Sequence, residues 1–96
     1  MYEIRRTDQF ARWIDSLCDI RAKARILVRI ERLREGNPGD VRPVGDGVSE
    51  LRIDCGPGYR VYYVMKDGRV VILLAGGSKK TQSRDIDRAL SLARNL

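Results

Sequence analysis

The stretch "YRVYYVMKDGRVVILLA", Tyr59 to Ala75, decides the fold. Two runs of aromatic and β-branched residues flank Asp67-Gly68, a pair that accepts the positive φ a tight hairpin turn requires. The spacing predicts two antiparallel strands with Lys66 paired to Arg69 and Tyr63 on the same side as Ile72. Arg60, Tyr62, Val64 and Lys66 then share one face of the first strand, and Tyr59, Val61, Tyr63 and Met65 the other. Tyr59 and Tyr63 are assigned to the core and Tyr62 to the open face.

Upstream, Leu51 and Ile53 alternate with Glu50, Arg52 and Asp54, and "CGPG" supplies a turn, so a third strand precedes the hairpin. An even register across that turn places Arg52 beside Arg60. The segment "GNPGDVRPVGDGVSE" before it is read as a turn-rich connection. Its glycine spacing fits neither GxGxxG nor GxxxxGK[ST].

The first half of the chain is helical after a short strand, Tyr2 to Arg6. Thr7 reads as an N-cap, followed by Phe10, Trp13, Ile14 and Leu17 on one face. Asp19 caps a second helix from Ile20 to Arg34, with Ala24, Leu27, Ile30 and either Leu33 or Val28 turned inward, and Gly36 ends it. Two helices so tightly joined form an antiparallel hairpin. Arg21, Arg25, Arg29 and Arg32 make a basic stripe on its outer face, solvated at Arg29 and Arg32 and open to nucleic-acid contact at Arg21 and Arg25.

Downstream, "AGGSKKTQSRD" joins the last strand to a final helix, Thr81 to Leu96, with Ile86, Ala89, Leu90 and Ala93 at helical spacing. Gly76 and Gly77 are expected to turn the chain off the strand, with Ser78 or Thr81 capping the helix. The resulting order is an N-terminal strand, an antiparallel helical hairpin, a three-stranded antiparallel meander and a C-terminal helix. This is an α+β single domain over residues 1–96, with one sheet face on the helical hairpin and the other partly open for function.

Composition narrows the chemistry. Apolar residues are 43% and charged residues 33% of the 96, the balance of a globular protein. No apolar run spans a bilayer and the N-terminus lacks a signal-peptide core, so a cytoplasmic location and no membrane association are expected. Cys18 and Cys55 form no CxxC pair, and histidine is absent. Neither a metal site nor a cofactor is expected, and proton transfer falls to carboxylate, lysine or tyrosine. The net charge is +6, and 15 of 19 basic residues are arginine, whose planar fork suits phosphate or carboxylate.

Arg52, Arg60, Lys79 and Lys80, with Tyr62, are expected to converge on one concavity. Such a cluster can stabilise a phosphate whose charge grows as RNA is cut at its own 2′-hydroxyl, and Tyr62 can stack on a base. Glu50, Asp85 or a lysine is available to take the 2′ proton. The competing account pairs Arg52 and Arg60 with Glu50 and Asp54 as solvated charges on an exposed sheet face.

The words "RIERLREGNPGDVRPVGDGVSELRI", "GPGYRVYY" and "LLAGGSKKTQSRDIDRALSLA" resemble, in order and spacing across the whole chain, the addiction-module killer proteins. These are a phage-derived branch of the RelE/ParE toxin superfamily that includes HigB-like toxins. The resemblance implies a type II toxin, with a HigA-like helix-turn-helix antitoxin as partner, that enters the ribosomal A site and cuts mRNA as a metal-independent endoribonuclease. Arg52 then matches a basic residue of the meander, Arg60 the arginine of the family's "YR" word, and Lys79 or Lys80 a basic residue after the last strand. Two positions depart from the pattern. Asp85 or Ile86 stands where relatives carry a C-terminal tyrosine, and Glu50 where some carry lysine. The ParE branch implies the alternative, a non-enzymatic poison of DNA gyrase on the same scaffold.

Overall fold

The computed structural model describes residues 1–96. The chain runs β1 (Glu3–Arg6), α1 (Asp8–Ser16), α2 (Ile20–Arg34), β2 (Val41–Gly45), β3 (Val48–Ile53), β4 (Tyr59–Lys66), β5 (Val70–Ser78), a 3-10 turn (Lys79–Thr81) and α3 (Gln82–Arg94). The strands form one sheet in the order β1-β5-β4-β3-β2, antiparallel except for the parallel β1–β5 edge. No helix is long and apolar enough to cross a membrane.

Both helix starts follow from their caps. The Thr7 hydroxyl accepts from Phe10 N at 3.1 Å and donates to Leu74 O at 2.7 Å, so one side chain starts α1 and ties it to β5. Asp19 accepts from Arg21 N and Ala22 N at 3.0 and 3.1 Å. At the far end of α2, Gly36 N and Asn37 N bond to Leu33 O and Arg32 O while Gly36 takes a φ of 92°. That is a Schellman ending, which favours glycine at this position.

The meander is present, with an additional strand. β2 pairs with β3 through a turn at Asp46-Gly47, both at positive φ, so the presumed turn-rich connection contains a fifth strand. Pro43 is tolerated because β2 lies on the sheet edge, where no further strand needs its missing N–H.

The β4–β5 register is offset by one residue from the expected one. Arg69 N closes the Asp67-Gly68 turn on Lys66 O, but Lys66 pairs with Val70 and Tyr63 with Leu73, not Ile72. A bulge between Tyr62 and Tyr63 then leaves Leu74 unpaired, so that Leu73 faces one core while Leu74 and Ala75 face the other.

These two cores lie on opposite faces of the sheet. On one, Leu51, Ile53, Val61, Tyr63, Val71 and Leu73 pack against Phe10 and Ile14 of α1 and Ile26, Ile30 and Leu33 of α2. On the other, Val48, Tyr62, Leu74 and Ala75 pack against Ala89 of α3. The face expected to be open is therefore partly covered by α3. The inward stripe of α2 also differs from the expectation: Ala22 and Ile26 are buried with Ile30 and Leu33, while Ala24, Leu27 and Val28 are exposed. Two apolar stripes share this helix, and periodicity cannot say which one meets the sheet.

Candidate functional site

Strand register brings the expected arginines together. Arg52 on β3 stands directly opposite Arg60 on β4, and Arg60 in turn opposes Gly77 on β5. Like charges in that position repel unless each finds a counter-charge. Arg52 donates from Nε and Nη2 to Asp40 Oδ1 at 3.1 and 2.8 Å, while Arg60 Nε lies 3.8 Å from Glu50 Oε2 without a hydrogen bond. The Arg60 side chain is only 12% exposed. Burial of an arginine with a free Nε leaves a cation whose hydrogen-bonding capacity is not used up within the protein.

Glu50 is fully buried, and each of its oxygens accepts at least one hydrogen bond. Arg42 Nε donates to Oε1 at 2.9 Å, and Tyr62 Oη and Gln82 Nε2 donate to Oε2 at 3.0 and 2.8 Å. Burial pushes this carboxyl up, but the bonds from Gln82, Arg42 and Tyr62 and the charge of Arg42 outweigh it and hold Glu50 below the usual carboxylate range. The same contact, with burial as the larger cause, pushes the Tyr62 phenol well above its ordinary value.

Tyr62 is completely buried under α3, so its ring is not offered to a base. It lies on the expected sheet face, but α3 covers that part of it. Glu50 is likewise closed off from the surface, fully buried with each oxygen already accepting a hydrogen bond. Its three donors come from β2, β4 and α3, which makes it a tie between layers. Arg42 and Gln82 were not singled out in the sequence. The Asp46-Gly47 hairpin signal, of the same kind as Asp67-Gly68, marks the β2–β3 turn but would set Pro43 opposite Glu50; a register shift between Pro43 and Gly45 brings Arg42 there instead.

The glycine pair does not turn the chain. Gly76 and Gly77 continue β5, which runs to Ser78, and neither has a positive φ. They are needed for close approach from both sides: a Cβ on Gly76 would collide with the Trp13 ring, and one on Gly77 with the Asp85 carboxylate. Asp85 thus sits on the residue that pairs with Arg60. Its Oδ2 accepts the Thr81 hydroxyl and its Oδ1 lies 3.9 Å from Arg84 Nε.

An open cleft of about 380 Å³ runs beside these glycines. Trp13 of α1 and Leu17 just after it form one wall, Thr81, Arg84, Asp85 and Arg88 the other, and Tyr59 closes one end. Trp13 meets Tyr59 edge-on, with ring centroids 6.3 Å apart. The sequence assigns Tyr59 to the core and Trp13 to the apolar face of the first helix, and both do pack against the core. The structure gives each a partly buried position on the cleft wall.

Lys79 and Lys80 follow β5 in the 3-10 turn, exposed and without ion pairs. Lys79 N donates to Gly58 O at 2.7 Å, which brings this turn to the "GPG" end of β4, near Arg60. Arg21 and Arg25 are elsewhere: they lie on α2, across the sheet from Glu50 and Tyr62. Arg29 of the same stripe is not a solvated charge. Its guanidinium donates to the carbonyls of Arg52, Pro38 (2.9 Å) and Asp40 (3.2 Å), binding α2 to the start of the meander.

The architecture is that of RelE-type proteins. It matches a chain of the intact Escherichia coli RelBE toxin-antitoxin complex with a TM-score of 0.66 at 16% identity, over 81% of this chain and 96% of that one. It also matches the solution structure of a conserved hypothetical protein from Helicobacter pylori, with a TM-score of 0.56 at 23% identity, over 83% and 97%. The chain belongs to the family described as phage derived protein Gp49-like, whose model matches residues 12–96. An uncharacterized protein of Haemophilus influenzae is 51% identical over 94 residues, covering 98% of this chain and 95% of its own.

Proposed function

We propose that this protein is the toxin of a type II toxin-antitoxin pair and cuts mRNA in the ribosomal A site. The observation that carries the reading is the adjacency of Arg60, buried with an unused Nε, to Asp85 across Gly77, beside an open cationic cleft. RNA cleavage by the 2′-hydroxyl needs a cation at the phosphate and an acceptor for one proton. Arg60 supplies the first, supported by Arg52 and by Lys79 or Lys80. Asp85 supplies the second, because it borders the cleft while both oxygens of Glu50 are occupied.

In this reading the proton passes from the 2′-hydroxyl to the Asp85 carboxylate. The 2′-oxygen bonds to phosphorus as the P–O5′ bond breaks, giving a 2′,3′-cyclic phosphate, and the 5′-oxygen leaves as a hydroxyl after taking a proton from water. Base docking falls to Trp13 and Tyr59, the aromatic rings at the cleft, in place of Tyr62. The family, the RelE-type fold and the RelBE match support a toxin and, by the same route, an antitoxin partner, of HigA-like helix-turn-helix type from the resemblance.

The test is induction in cells followed by mapping of mRNA ends on arrested ribosomes and of breaks in chromosomal DNA. Cuts at A-site codons with intact DNA are expected. Broken DNA with intact mRNA would replace this reading by gyrase poisoning.

A further inference from the structure

We propose that the cleft between α1 and α3 is a subsite for one unpaired guanine of the RNA, with Arg88 and Gln9 as the residues that choose the base. The proposal deepens the mRNA-cutting reading, on which it rests for the ligand being RNA.

The cleft exists because two neighbouring strands differ in length. β1 pairs with β5 only from Val70 to Leu73, whereas β5 runs on to Ser78, so the outer edge of its last residues has no strand beside it. Gly76 and Gly77 put no side chain on that stretch, and the cleft of about 380 Å³ lies over it. α1 begins where Thr7 bonds to Leu74, and α3 brings Ala89 to Leu74 and Ala75. Gln9 and Arg88 therefore stand on opposite walls at one end of the cleft, with Tyr59 and Thr81 at the other. Trp13, one turn after Gln9, lies between the two ends.

The polar groups at the Gln9 end are uncommitted. Neither Gln9 nor Arg88 makes an ion pair or a side-chain hydrogen bond within the chain. Arg84, the next cation along α3, already lies 3.9 Å from Asp85. An arginine presents only donors, in a planar fork that fits a pair of adjacent acceptors. Guanine is the base with such a pair on one edge, at O6 and N7. Its opposite edge carries N1–H and an amino group, which the Gln9 amide oxygen can accept from the other wall. Adenine and cytosine put an amino donor where the fork also donates, and uracil offers a lone carbonyl there on a smaller ring. A base spanning both walls turns its face toward Trp13, an apolar surface suited to an unpaired ring.

The experiment titrates the 15N-labelled full chain with 2′-O-methyl uridine pentanucleotides, which lack the attacking hydroxyl and so stay uncut. The central base is guanine, adenine or uracil. The expected result is saturable movement of the Gly76 and Gly77 amides and the Trp13 indole N–H, with the guanine oligomer bound about tenfold more tightly than the adenine one. Arg88→Lys keeps the charge and loses the fork, so it should weaken the guanine oligomer by about tenfold and the adenine oligomer far less. Gln9→Leu should narrow the same ratio from the other wall. A change that only disturbed the fold would weaken both oligomers alike. Equal affinity for the guanine and adenine oligomers, which would make Arg88 a contact to backbone phosphate, overturns the proposal. So does a preference that survives both variants, or an absence of movement at Gly76 and Gly77. Mapped mRNA ends score the cutting separately. A guanine preference with uncut mRNA keeps the subsite and removes the nuclease; cut mRNA with no base preference does the reverse.

Discussion

Arg52 and Arg60 stand opposite one another on neighbouring strands, yet Arg52 is neutralised by Asp40 through two hydrogen bonds while Arg60 has only a long ion pair, its buried Nε 3.8 Å from Glu50 without a hydrogen bond. The two arginines are therefore not equivalent. Arg52 is committed to the loop before β2, and Arg60 is the residue with capacity left for a phosphate.

Arg60→Ala should abolish growth arrest on induction and mRNA cleavage. Arg52→Ala should lower cleavage by a smaller factor, about tenfold, because its charge is already shared with Asp40. The measurement is cleavage on translating ribosomes with both purified variants. Arg60→Met, which keeps the aliphatic stem under α3, separates lost charge from lost packing: it should fold as the wild type does and still fail to cut.

Glu50→Gln should destabilise the fold by about 1–3 kcal/mol, since an amide presents a donor where Arg42, Tyr62 and Gln82 all donate. It should spare cleavage per folded molecule to within a few-fold. Asp85→Asn should do the opposite, losing cleavage at modest cost in stability. Urea midpoints paired with single-turnover cleavage distinguish the two carboxylates.

The pH dependence of stability follows from the same network. The depressed Glu50 carboxyl contributes stability that is complete above its ordinary value of 4.5 and is lost as the pH falls through the lower value of the folded state. Tyr62 acts at the alkaline end. Its phenol stays protonated in the fold where the unfolded chain releases the proton near 10, so stability declines as the pH rises above that point. Urea midpoints from acid to alkaline pH should show both limbs. Glu50→Gln should flatten the acid one and Tyr62→Phe the alkaline one.

Gly77→Ala should cost about 1–3 kcal/mol and displace Asp85 from its seat, reducing cleavage as well as the melting temperature. Gly76→Ala should cost a similar amount through Trp13. Replacing Gly68, which has open space around its Cβ position but a φ of 66°, should cost less. Thermal melts of the three variants test that order.

The α+β class, the meander, both helix caps and the Arg52–Arg60 alignment were legible in the sequence because each rests on local chemistry: Asp67-Gly68, Thr7, Asp19 and strand alternation. β2 was missed because Pro43 and the surrounding glycines read as loop, although Asp46-Gly47 marked the turn. The offset between Tyr63 and Leu73 depends on Arg69 staying out of the ladder, and the bulge at Leu74 on packing with α3. Neither leaves a periodic signal. Tyr62 read as a surface ring because alternation assigns a face but cannot say what covers it. The roles of Gly76 and Gly77 come from Trp13 and Asp85, far along the chain, so a strand-to-helix turn was the natural local reading.

The parallel pairing of Glu3–Arg6 with Val70–Leu73 has a consequence for how the protein comes into being. The first strand waits for a partner about two-thirds of the chain away, and Thr7 cannot reach Leu74 until that partner exists. Such distant closures come late in folding. Until β5 has been made, α1 and α2 have no complete sheet to lie on, Gly77 is not there to seat Asp85, and Arg60 has no neighbour on one side. The nascent chain thus acquires its proposed cutting site only near the end of synthesis, whereas the outer stripe of α2 is already written in its first third.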